Sequence, residues 1–194
     1  MTARRLGPIV SLQVQRDVVK HRGVGYDPGP IVVVERAEIG PGGMLGLADG
    51  AWVVDSHHAA HPASRAGGRR PLSIGFTAHY GMMAERFGGI VTPGVAGENI
   101  IVDCDERVFE ADLAGTVVIR TSGGDVELEN ARVAAPCAEF TSFLLRLSEV
   151  APKRDLGDDV AFLEDGMRGF VLSTGHLQVS HPVAIGDEVW VRPG

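Results

Sequence analysis

The chain has 194 residues, with 18 Lys and Arg against 25 Asp and Glu and a formal charge of −7. That length builds one domain with a sizeable core, here 1–194, and 44% hydrophobic with 22% charged residues excludes a disordered, collagenous or coiled-coil chain. The acid excess argues against a nucleic-acid or anionic-membrane binder, and two cysteines are too few for a disulfide scaffold.

Gln13, Gln15, Arg16 and Asp17 interrupt the first apolar stretch, so it lacks the core of a signal peptide. The longest aliphatic run, residues 31–34, is far too short for a membrane helix. A soluble, cytoplasmic protein is therefore expected, with no membrane partner.

In chain order, residues 9–14, 30–35, 51–55 and 72–75 read as strands rich in Val, Ile and Leu. Phe76, Tyr80, Met83, Ala84 and Phe87 then recur at helical spacing, with Thr77 as N-cap and Gly88-Gly89 as the stop. Strands follow at 98–103, 115–121 and 125–133, the last two joined by a Ser122-Gly123-Gly124 turn that marks a hairpin. Phe140, Phe143, Leu144 and Leu147 predict a second helix after Pro136, and 158–165 a third, ending at Gly166. Strands at 169–173, 177–180 and 188–192 close the chain, with turns at Gly175 and 185–187. The pattern is mainly β with helical insertions, α+β by content, and lacks regular strand–helix alternation. It predicts an antiparallel barrel or sandwich.

Three segments carry chemistry. Pro136-Cys137 stands where a strand passes into a helix; Pro suits a first helical turn, which would place Cys137 at the helix N-terminus, where a thiolate is stabilised. Such a thiolate is a nucleophile and a soft-metal ligand, whereas the spacing to Phe140 equally suits a buried core cysteine. Cys104, flanked by Asp103 and Asp105, reads as structural and reduced. The loop Gly94-Val95-Ala96-Gly97-Glu98-Asn99 has two glycines whose turn would offer backbone N–H groups to an anion, and Asn99 both donates and accepts. Finally His57, His58 and His61, then Arg65, Arg69 and Arg70, form the dense cationic patch of an acidic chain. Local positive charge there suits a phosphate-bearing small ligand; a metal-dependent hydrolase would need the three imidazoles to converge.

The glycine loop with its apolar strand, the Pro136-Cys137 pair about forty residues on, and the closing Met167-Arg168-Gly169-Phe170 followed by Gly186-Asp187-Glu188 resemble the MOSC domain in order and spacing. That module is named for the C-terminal part of molybdenum cofactor sulfurases, and the motif-bearing part here is 90–192. The resemblance implies a β-barrel whose pocket binds the molybdenum cofactor (molybdopterin), with Gly94, Gly97, Glu98, Asn99, Arg168, His57, His58 and Arg65 as cofactor-binding residues. It implies that Cys137 is the catalytic residue, carrying sulfur or ligating molybdenum, in sulfur transfer or in reduction of N-hydroxylated substrates. Some relatives are fused to a pyridoxal-phosphate domain; this chain has no room for one, so a cysteine desulfurase or electron-donor protein would be a separate partner. The alternative is a non-catalytic cofactor-binding or sulfur-relay module that docks on a partner enzyme. The chain departs from the family pattern at Ala134-Ala135, where relatives often have an arginine, and at His57-His58-Ala59-Ala60, where they have His-Gly-Gly.

Overall fold

A computed structural model describes residues 2–64 and 69–194. Its elements run β1 (Arg4–Gln15), β2 (Lys20–His21), β3 (Gly25–Tyr26), β4 (Ile31–Val34), β5 (Arg36–Gly40), β6 (Gly43–Ala48), β7 (Ala51–Val54), β8 (Leu72–Phe76) and α1 (Thr77–Phe87). After these come β9 (Ile100–Val102), β10 (Thr116–Thr121), β11 (Gly124–Val133), α2 (Ala138–Leu144), α3 (Gly157–Phe162), β12 (Phe170–Ser173), β13 (His181–Ala184) and β14 (Glu188–Arg192).

Seven strands close into a barrel in the order β1-β14-β10-β11-β12-β8-β9 and back to β1. All pairings are antiparallel except β8 with β9, whose crossover contains α1. Closure abolishes the sheet edges that an open sheet would leave unpaired. The twelve-residue β1 serves three neighbours: its first half pairs with β14, its middle with β9 and its end with β4. The predicted hairpin is present, with Thr121 opposite Gly124 across a two-residue turn.

A second sheet, in the order β13-β5-β6-β7, packs on the barrel, and of its four strands sequence pattern finds only β7. Glycines at 40, 42, 43 and 46 dilute the apolar signal of β5 and β6; a Cβ at Gly46 would stand 2.9 Å from side chains of both Val14 and Val34, so the missing side chain is what lets the layers approach. The strand expected at 177–180 is instead a turn, and the pairing moves to His181–Ala184. Pro182 hides that strand from propensity, yet β13 is an edge strand, where a missing N–H is tolerated.

Two apolar clusters result. The larger fills the barrel and includes Ile9, Leu12, Leu72, Ile74, Phe76 and Phe170. The smaller lies among the helices and holds Tyr26, Tyr80, Met83, Phe140, Leu163 and Cys137. Among the described residues, no helix is long and apolar enough to cross a membrane.

Candidate functional site around Cys137

Cys137 is buried and is the N-cap of α2, in extended conformation (φ −135°, ψ 153°), so Pro136 precedes the helix rather than entering its first turn. Its carbonyl oxygen accepts from the Thr141 N–H at 3.1 Å and from Thr141 Oγ1 at 2.9 Å. The helix has only seven residues. A side chain supplies the positive charge that faces the sulfur: Arg168 Nη1 lies 3.4 Å from Cys137 Sγ. The guanidinium is fixed by the carbonyls of Ala135 (3.2 Å) and Ala96 (3.4 Å) and by the Phe140 ring, 4.5 Å from its carbon. Both cysteines are free; Cys104 is half-buried, with its sulfur 3.4 Å from the Glu106 carbonyl.

The glycine loop is clamped from below. Gln13 and Gln15, which the sequence presents only as polar breaks in an apolar run, share one face of β1 and donate to the carbonyls of Gly94 (2.7 Å) and Gly97 (2.6 Å). Both glycines have left-handed φ, +86° and +92°, which the turn requires. Most of the N–H groups that an anion nest would use are spent inside the protein. The N–H groups of Val95, Gly97 and Asn99 donate to the Thr92, Gly94 and Ser73 carbonyls, and that of Ala96 to the Tyr80 hydroxyl.

Adjacent loop residues face opposite ways. Glu98 is buried against Tyr80, whose hydroxyl donates a short hydrogen bond to Oε2. Burial pushes the Glu98 carboxyl up, opposed by the Tyr80 hydrogen bond, its own N–H and the Arg168 charge. Burial, then the Glu98 charge, raises the Tyr80 hydroxyl as well. Glu98 Oε1 and Arg168 Nε are buried without a partner among the described residues. Tyr26, also raised mainly by burial, donates to the Val95 carbonyl at 2.7 Å. No motif points to Tyr26, and the sequence gives Tyr80 only as part of a helical stripe.

Asn99 turns to the other side. Its Oδ1 accepts from the Ser73 N–H and hydroxyl, both at 3.0 Å, and its Nδ2 donates to Asp55 Oδ2 at 2.9 Å. Asp55 in turn holds His57, so His57 joins the loop through a buried carboxylate. His58 does not join it: the ring packs on Gly42, its Nδ1 accepts the Ala60 N–H, and burial lowers its pKa. His61 lies against the Ala63 N–H and the Arg16 carbonyl. The imidazoles therefore diverge, and among the described residues no group of three His, Cys, Asp or Glu side chains could hold a metal ion. Arg65 lies outside the described residues.

A cleft of about 250 Å³ opens beside the end of β1, lined by Gln15, Val19, Lys20, Ser56, His57 and Ser64. Cys137 is not on its wall, but Lys20 links the two: its ammonium is 3.5 Å from the carboxylate of Glu139, two residues beyond the cysteine. Glu139 also accepts the Gly23 N–H at 3.0 Å. Burial raises its carboxyl, yet the Gly23 and Glu139 N–H groups, Lys20 and Cys137 together bring it below the ordinary carboxylate range.

The model of the MOSC domain family matches residues 55–190. No curated protein matches at a significant level. Among solved structures, the YuaD protein of Bacillus subtilis is similar at 16% identity and a TM-score of 0.55, covering 100% of this chain and 97% of that one. YiiM of Escherichia coli is similar at 15% identity and a TM-score of 0.51, covering 84% of this chain and 65% of that one. At these identities the likeness is one of fold, and the fold is the β-barrel with short helices described above. The family match spans most of the chain and includes the glycine loop, Pro136-Cys137 and Arg168, so the chain belongs to the MOSC domain family.

Proposed function

We propose that this chain binds the molybdenum cofactor, with Cys137 as the ligand to molybdenum or the carrier of a transferable sulfur atom. The observation that carries this reading is the pairing of the Cys137 sulfur with the Arg168 guanidinium at 3.4 Å, beside the loop of residues 94–99. MOSC domains are associated with that cofactor, and the donor set here fits it. A thiol is the soft ligand that molybdenum accepts, and the Nε of Arg168, without a partner among the described residues, leaves donor capacity on the same guanidinium. When bound, the cofactor would supply the redox-active metal.

The chain's own residues do the rest. Arg168 stands against any negative charge that develops on the sulfur, and its contacts to the Ala135 and Ala96 carbonyls tie the cysteine segment to the glycine loop. Lys20 and the Gly23 N–H hold Glu139, which fixes the start of α2 and with it the direction of the thiol.

The test is Cys137→Ser in protein purified from its native host. Metal analysis and mass spectrometry are expected to find molybdenum, molybdopterin or a mass increase of one sulfur at Cys137 in the wild type. The variant is expected to lose metal or sulfur while its melting temperature stays within a few degrees, since the change is nearly isosteric. If the variant unfolds and wild-type Cys137 resists alkylation, the cysteine is structural and the reading fails. Retention of cofactor without turnover in the presence of an electron donor would assign a carrier rather than an enzyme.

A further inference from the structure

We infer that Asp55 is a positioning residue for His57, and that His57 moves a proton to or from a small molecule bound in the cleft beside Lys20. Asp55 is fully buried; three donors converge on its carboxylate, and a ring nitrogen of His57 stands beside them. Oδ2 accepts the Gln15 N–H at 2.8 Å and Asn99 Nδ2 at 2.9 Å. Oδ1 accepts the His57 N–H at 2.9 Å and lies 3.1 Å from His57 Nδ1. Two backbone N–H groups and one amide can only donate, so this carboxylate acts as an acceptor throughout. The contact with Nδ1 then places the imidazole proton on Nδ1 and leaves the lone pair on Nε2.

The burial of the two partners divides the work. The carboxylate has no access to solvent, whereas the His57 side chain is 52% exposed and lines the cleft. Ser56 does not compete for the ring: its hydroxyl is 3.5 Å from Nδ1 but donates to Gln15 Oε1 at 3.2 Å. A base is thus presented to a cavity with its orientation set from behind. Lys20, on the same wall and paired with Glu139 at 3.5 Å, brings a positive charge to the side of the cleft.

The matching ligand class is a small molecule with an acidic O–H or N–H. Its proton passes to Nε2, the bond's electron pair stays on the ligand as an anion near Lys20, and the imidazolium is balanced by Asp55. The reverse step returns the proton, so no other reactant is consumed. The inference concerns the cleft and does not depend on molybdenum at Cys137. Loss of metal in Cys137→Ser leaves it standing, and its own failure leaves the cysteine reading intact.

The experiment is long-range proton–nitrogen NMR on protein carrying nitrogen-15 histidine, with His57→Gln used to assign the His57 signals. The wild type is expected to show the Nδ1–H tautomer, and Asp55→Asn to lose it. In parallel, diethyl pyrocarbonate is the probe of Nε2, with the modified histidines mapped by mass spectrometry. His57 is expected to react readily, and about tenfold more slowly in Asp55→Asn, the lower end of what outer-shell partners contribute. An Nε2–H tautomer in the wild type, or a His57 inert to the reagent while other exposed histidines react, overturns the inference. Should Asp55→Asn fail to fold, the wild-type tautomer and the wild-type reactivity still decide it.

Discussion

Glu98 and Asn99 are neighbours in the chain, yet the regions they enter are built on opposite terms. On the Glu98 side a thiol, a guanidinium and a carboxyl sit in an apolar cluster, and two of their polar atoms have no partner among the described residues. On the Asn99 side, Asn99 and Asp55 spend both ends of their side chains on partners within 3.3 Å. Satisfied networks rigidify, whereas unsatisfied buried groups are held at a cost and mark places where a ligand or a charge change is accommodated. The Asn99 side is thus a frame that holds His57 from behind, and the Glu98 side keeps buried polar atoms without partners among the described residues.

The largest test of that contrast is Asn99→Leu. It strands the Ser73 N–H and removes a donor from Asp55, and by the cost of unsatisfied buried groups it should destabilise by about 3–5 kcal/mol. Denaturant melts measure this, and a loss below about 1 kcal/mol would show that the frame is not stiff. Gly97→Ala comes next. Its Cβ would stand 2.6 Å from Gln15 Nε2 on a left-handed backbone, so about 2 kcal/mol should be lost, with the loop and the Gln15 clamp loosened together.

The smallest effect is the most diagnostic of the Glu98 side. Burial holds the Glu98 carboxyl above its unfolded value, so the folded state keeps that proton longer than the unfolded chain does. Between the ordinary carboxylate range and the raised folded value, stability therefore falls as pH rises. Glu98→Gln keeps an acceptor for Tyr80 and should remove that part of the slope. Melting temperatures of the two proteins from pH 4 upward compare them directly, and parallel curves would break the contrast between the two sides.

Local pattern made much of the fold legible. Strand runs, the two-residue hairpin turn and the glycine stop after α1 depend on φ, ψ and side-chain period, which neighbours in the chain dictate. The order of glycine loop, Pro136-Cys137 and Arg168 was equally readable, and it led to the right family. The helix start at Cys137 was legible too, since Cys137 is the N-cap of α2, but the side-chain charge beside its sulfur was not. Local sequence offers a helix dipole, but α2 is short and the cation comes from Arg168, 31 residues away. The histidine run was open for the same reason, because spacing counts imidazoles without saying where each ring turns.

By itself, then, the sequence determined the kind of element at most positions, the turns between them, and which residue types were available for chemistry. Only the tertiary structure decided that β1 closes the barrel, that Gln13 and Gln15 clamp a loop more than eighty residues on, and that Asp55 joins His57 to Asn99. Those choices rest on contacts between distant segments. Their free energy comes from burial and hydrogen-bond satisfaction in the closed barrel, and no window of neighbouring residues contains that information.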